Sequence, residues 1–209
     1  MSDTLNRRSP YGEVELVKPV SIVFGAKSLE FPLDPNDISK VSELVEGCAP
    51  LGFETNERTA IDSSYRNCKG MNSENFTMSN NYHEIIRRIV TQVANILKPP
   101  KPVYSSLNKI CVYGTHRSFK EHVDIPQSNI FASLVVCLPT GYEGGMLVVE
   151  DSAYDLSSSN SIKWCAFYSD RKYRIDEVTK GSRVILIYDL LCLEVPTPTP
   201  YRNILYTTL

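Results

Sequence analysis

The stretch Tyr113-Gly114-Thr115-His116-Arg117-Ser118-Phe119-Lys120-Glu121-His122-Val123-Asp124-Ile125-Pro126 decides how this chain is read. His122 and Asp124 are two residues apart, so on extended backbone both side chains leave the same face of a sheet. A neutral imidazole and a carboxylate converging on one point make two thirds of the facial set that holds non-haem iron(II) and leaves the opposite coordination positions open. A His-X-Asp tripeptide also arises by chance, as a surface histidine beside a turn aspartate. Its weight therefore depends on the segments around it.

Downstream the chain breaks into short β-rich runs: Lys109 to Tyr113, Ile130 to Leu138, Met146 to Glu150, Ile162 to Phe167 and Arg183 to Leu193. Each is bounded by Gly, Pro, Ser or Asn, a pattern of antiparallel double sheets rather than of alternating strands and helices. Upstream, Glu13 to Phe24 and Leu29 to Phe31 predict two early strands joined at Gly25. Asp34-Pro35 offers a helix start, and Ile38, Val41, Leu44 and Val45 recur at helical spacing until Gly47. A second helix is predicted from about Asn81 to Lys98, with Ile85, Ile89, Val93, Ile96 and Leu97 on its apolar face, ended by Pro99-Pro100. Between the helices, Cys48 to Asn80 is polar and irregular, which predicts a long loop with one short strand. Loops of that length are uncommon unless they work. The expected fold is α+β and mainly β: a jelly roll, or double-stranded β-helix, supported by two N-terminal helices. Residues 1–12 are expected to be a flexible N-terminus, 13–194 the jelly-roll domain, and 195–209 an extended proline-rich tail.

Bulk properties agree with one packed domain. The 209 residues are 42% apolar and 22% charged, far from the composition of disordered chains. A formal charge of -2 and a pI near 6.0 give no general attraction to phosphate backbones or anionic membranes, so neither nucleic acid nor membrane is favoured as a partner. The opening residues are polar and basic without an apolar core, and no stretch approaches the ~20 apolar residues that span a bilayer. A soluble, cytoplasmic protein is expected. The six cysteines show no metal-knuckle or redox spacing and are expected to be buried free thiols.

The order of segments after His122 resembles the iron(II) and 2-oxoglutarate dependent oxygenases of the prolyl 4-hydroxylase-like group. That pattern has a strand tyrosine, an HxD pair, a Gly-Gly-Glu-Leu turn, a distal histidine, and an arginine or lysine about ten residues later. Tyr113 matches the tyrosine, His122 and Asp124 the metal pair, Gly144-Gly145-Met146-Leu147 the turn, and Arg183 the basic residue. Ala166-Phe167-Tyr168-Ser169-Asp170 is similar to the approach to the distal histidine. Ala49-Pro50-Leu51-Gly52 and Glu57-Arg58-Thr59-Ala60-Ile61-Asp62 are similar to the N-terminal region of the group. The resemblance implies iron(II) on His122 and Asp124, with 2-oxoglutarate as cosubstrate. Its far carboxylate would meet Arg183, since a guanidinium offers two parallel charge-assisted hydrogen bonds. Tyr113 or Ser133 would add a hydroxyl. The implied reaction is C–H hydroxylation with succinate and CO2 as co-products, on a small-molecule or protein/peptide substrate entering over the mouth of the roll, which the loop Gly52 to Asn80 could cover.

The pattern departs at one position. Ten residues before Arg183 stands Tyr173, where the group has its distal histidine, and the chain has only His83, His116 and His122. Four explanations are open. Tyr173 ligates iron through phenolate oxygen; His122 and Asp124 alone hold the metal; His116, Asp170 or Asp176 swings in; or the site is dead and the fold serves as a binding or interaction module.

Overall fold

Alternation of side chains divides the longest strands of this chain between two interiors. The computed structural model describes residues 9–34, 38–54, 59–60, 65–124 and 129–192. Its centre is a seven-stranded antiparallel sheet in the order Tyr11–Glu15, Ser161–Tyr168, Ile130–Cys137, Arg183–Cys192, Val103–Tyr113, Lys69–Asn72 and Ala49–Pro50. Ile110, Val112, Leu134, Val136, Val184 and Leu186 point to one face and join the core formed with the helices. Their neighbours Cys111, Tyr113, Val135, Cys137 and Ile185 point to the other.

That second face is covered by a smaller sheet of Phe119–His122, Tyr173–Ile175, Leu147–Val149 and Ser152–Tyr154, extended by the pair Glu143–Gly144 and Val178–Lys180. Phe119, Leu147, Val149, Tyr173, Ile175 and Val178 close the interior between the two layers. The result is the expected jelly roll.

Two helices support the outer face of the large sheet. Ile38–Glu46 buries Val41 and Leu44, while residues 35–37 of its expected start lie outside the described residues. The second helix, Asn80–Leu97, buries Tyr82, Ile86, Ile89 and Val93. Of the expected face, Ile89 and Val93 are buried and Ile85 and Leu97 pack against the core, whereas Ile96 is 55% exposed. Tyr82 is added to it: its hydroxyl accepts from Tyr188 at 3.2 Å, tying the helix to the central strand. The helix stops at Lys98, which adopts left-handed backbone (φ 46) and donates its N–H to the Ala94 carbonyl.

Two segments correct the reading from sequence. Glu13 to Phe24 is not one strand: Tyr11–Glu15 joins the large sheet, whereas Val20–Phe24 pairs with Lys27–Phe31 and Thr77–Met78. The run is interrupted just before Val20 at Pro19, which lacks the N–H that a ladder requires. Regular structure thus begins at Tyr11, ahead of the boundary expected at residue 13. The stretch Cys48 to Asn80 holds several short strands rather than one; Lys69–Asn72 and Thr77–Met78 are ordered by pairing with established edges, while Phe53–Glu54 and Thr59–Ala60 pair with each other. The expected tail, residues 195–209, lies outside the described residues, as do residues 193–194 and 1–8. Among the described residues no helix is long and apolar enough to cross a membrane. All six cysteines are free and five are buried.

Candidate functional site

His122 ends its strand directly opposite Tyr173 in the antiparallel pairing of the small sheet. Its Nδ1 lies 2.9 Å from the Lys120 carbonyl. A carbonyl only accepts, so Nδ1 carries the ring proton and Nε2 presents its lone pair. That Nε2 is buried without a hydrogen-bond partner and lies 3.7 Å from Asp124 Oδ1. The imidazole is clamped between rings: Phe119 at 3.8 Å and Tyr173 at 4.1 Å between centroids. Tyr173 in turn packs on Phe167 at 4.8 Å.

Asp124 is the hub of this group. Its Oδ1 accepts from the Tyr173 hydroxyl at 3.0 Å and its Oδ2 from the Ser133 hydroxyl at 3.3 Å. Burial works to raise its carboxyl; the hydrogen bond and charge that His122 offers once Nε2 is protonated, with the two hydroxyls, outweigh burial and hold it below the ordinary value. Burial and the neighbouring Asp124 charge push the Tyr173 phenol well above its own. Tyr173 is therefore a neutral donor here. Ser133, expected beside Arg183, instead serves Asp124.

Arg183 and Tyr113 form a second place within the roll. They are register partners on adjacent strands of the large sheet, both with no exposed surface. All three guanidinium nitrogens and the Tyr113 hydroxyl are buried without hydrogen-bond partners. The Tyr113 and Tyr142 rings each lie 6.0 Å from the guanidinium carbon. The Gly144-Gly145 turn closes over this place: both residues have positive φ, +77 and +61, and a Cβ on Gly145 would stand 3.3 Å from Arg183 Cδ. Asp176 and Glu177, the carboxylates that could have made Arg183 an ordinary strand-edge ion pair, are taken by Arg174 at 2.9 Å and by His116 at 2.6 Å.

A cavity of about 240 Å³ opens on His122, Asp124, Ser133 and Tyr173. Neither Arg183 nor Tyr113 lines it. The structure thus joins His122, Asp124 and Tyr173 at one point and Arg183 with Tyr113 at another. The remaining candidates do not converge: His116 is exposed in its pair with Glu177, Asp170 faces Arg171 at 3.8 Å, Asp176 holds Arg174, and His83 is on the exposed side of the second helix. Arg66, which also lines the cavity and is 8% exposed, has no signal in the sequence, since it lies in the polar stretch between the helices. Among the described residues no cluster of three His, Cys, Asp or Glu side chains is placed to hold a metal.

No protein-family model matches the sequence, and no curated protein matches it. Solved structures do match in shape. A Pseudomonas putida prolyl-4-hydroxylase superposes with a TM-score of 0.51 at 10% identity, over 87% of this chain and 92% of that one. An oxidoreductase of the 2OG-Fe(II) oxygenase family from Burkholderia pseudomallei gives 0.48 at 12% identity, covering 76% and 80%. A Trichoplax adhaerens prolyl hydroxylase, solved with a hypoxia inducible factor peptide fragment, gives 0.48 at 12%, covering 81% and 82%. With two antiparallel layers, two supporting helices and this superposition on record, the chain has the jelly-roll fold of the Pseudomonas putida prolyl-4-hydroxylase.

Proposed function

We propose that this chain is an iron(II) and 2-oxoglutarate dependent oxygenase of the hydroxylase type. The observation that carries the reading is Arg183: a fully buried guanidinium in no ion pair with a carboxylate among the described residues, whose near polar neighbours are the neutral Tyr142 hydroxyl and Cys137 thiol. Leaving such a charge unpaired in a protein interior is costly, and a ligand carboxylate is the group that would satisfy it. The orphaned Tyr113 hydroxyl beside it supplies a further donor. These atoms fit the far carboxylate of 2-oxoglutarate.

The metal pair fits as well, with two protein ligands rather than three. His122 has the tautomer of a ligating imidazole: the Lys120 carbonyl fixes the proton on Nδ1 and leaves Nε2 free. Asp124 is ionised and faces the same point. Iron(II), when bound there with the 2-oxo acid, would supply the oxidising chemistry. The protein's share is positioning. Phe119 and Tyr173 fix the imidazole plane, Ser133 orients the carboxylate, and the Tyr113 and Tyr142 rings shield the anchoring arginine from water. His122 and Asp124 would hold the metal, and Arg183 with Tyr113 the cosubstrate.

One observation favours a second reading, a catalytically impaired binding module. Tyr173 occupies the third ligand position and donates to Asp124, so it competes with metal for that oxygen. Anaerobic titration with iron(II) and 2-oxoglutarate separates the two readings. A visible charge-transfer band on chelation of the 2-oxo acid by bound iron supports the oxygenase. No band in the wild type, with a band restored in Tyr173→His, supports the binding module.

A further inference from the structure

Beside His122 and Asp124 the cavity presents Arg66, which the function above leaves unused. The side chain is held with its guanidinium carbon 4.5 Å over the Phe119 ring. Its partners are the Gly52 carbonyl at 3.2 Å, the Cys68 sulfur at 3.3 Å and the Cys111 sulfur at 3.4 Å. A guanidinium carries five N–H donors and sulfur is a weak acceptor. Two N–H groups therefore stay free, and the charge meets no carboxylate among the described residues.

A second cation stands on the same wall. Lys109 lines the cavity, and its charge acts on the Cys111 thiol. The Cys68 thiolate offsets one of these two cations, and neither cation is in an ion pair with a carboxylate among the described residues. Two carboxylates share the lining and are held by neutral donors, Asp124 by Tyr173 and Ser133 and Asp189 by the Asn108 amide at 2.8 Å, so neither is paired with Arg66. A cavity of about 240 Å³ falls below the roughly 300–1,000 Å³ that hold drug-sized ligands, so its occupant is small.

We infer that this cavity binds a small organic acid, whose carboxylate is held by the free N–H groups of Arg66 beside Lys109. On the oxygenase reading, from which only its role follows, this acid is the substrate presented to His122 and Asp124, distinct from the 2-oxoglutarate at Arg183. A planar guanidinium, pre-positioned on an aromatic ring and shielded from water, is suited to such an anion.

The test is calorimetric titration of the full chain, with chelator present, using acetate, L-lactate, succinate and benzoate and the neutral amide of each. At least one acid is expected to bind and its amide not to. Affinity is expected to fall about tenfold or more in Arg66→Gln and to persist in Arg183→Gln. Should Arg66→Gln fail to fold, the wild-type Arg66 Nε–H resonance is followed by NMR during the same titrations, and a saturable shift is expected. Binding of no acid, binding lost only in Arg183→Gln, or an unmoved Arg66 resonance overturns the inference. Because metal is removed throughout, these results are independent of the charge-transfer band that tests the oxygenase reading.

Discussion

Tyr173 and Asp124 are joined by a hydrogen bond of 3.0 Å, donated by the phenol to the carboxylate oxygen that also faces His122 Nε2. On the proposed reading, the residue at the third ligand position thus ties up the second. Tyr173→Phe keeps the ring packing on His122 and Phe167 while removing that donor, and is expected to raise iron(II) affinity. Tyr173→His adds a third ligand and is expected to raise it further, by about tenfold or more. Anaerobic equilibrium dialysis with iron(II) checks both, and unchanged affinity in both variants would count against Asp124 as a ligand.

Arg183 is a site whose stability and function should separate. Replacing a buried unpaired charge by an apolar side chain of similar length is often neutral or stabilising, by roughly 1–4 kcal/mol. Arg183→Met is therefore expected to unfold at equal or higher urea concentration than wild type, yet to lose 2-oxoglutarate binding. Urea unfolding and calorimetry on the same preparation test this. A large loss of stability would mean that the guanidinium has structural partners.

The turn over Arg183 depends on glycine. A Cβ on Gly144 would lie 2.6 Å from the Glu177 carbonyl oxygen, on backbone with φ +77. Gly144→Ala is expected to cost about 2 kcal/mol or more from left-handed strain and overlap. Gly114, where a Cβ meets nothing within 4 Å, is the control: Gly114→Ala should change stability by less than about 0.5 kcal/mol. Equilibrium urea unfolding of the two variants gives the comparison.

Cys68 gives a pH signature. A hydrogen bond from Cys111 and the adjacent Arg66 charge, acting against burial, lower its thiol from 9.0 to about 6. A group lowered in the folded state stabilises fully above its unfolded value and loses that contribution as pH falls through the folded one. The stability advantage of wild type over Cys68→Ser is therefore expected to grow from pH 6 to pH 9. Cys111, raised by burial, alters stability only above its ordinary 9.0, outside that window. Unfolding curves across the window test the sign, and an advantage that shrinks with rising pH would refute it.

Much of this molecule was legible in local chemistry. Apolar runs bounded by turn residues placed the long strands, because alternation and Gly, Pro and Asn breaks are properties of neighbouring residues. Helical spacing likewise located both helices. Spacing also put His122 and Asp124 on one face, while the resemblance to the oxygenase group marked Tyr173 and Arg183 as the positions to inspect. Local pattern misjudged the polar stretch between the helices, where Lys69–Asn72 is a strand only because Val103–Tyr113 offers it an edge. On the second helix it missed Tyr82, which the hydrogen bond to Tyr188 ties to the central strand, and counted in Ile96, which is exposed.

The sequence by itself determined the fold class and the candidate pair, since periodicity and two-residue spacing act along the chain. Only the tertiary structure decided the rest. It buried Arg183 and Tyr113 together off the lining of the cavity that opens on His122, turned Ser133 and Tyr173 toward Asp124, and carried Arg66 to the cavity wall between the sulfurs of Cys68 and Cys111. These relationships join residues far apart in the chain, and desolvation and hydrogen-bond partners exist only once the two sheets have closed on each other.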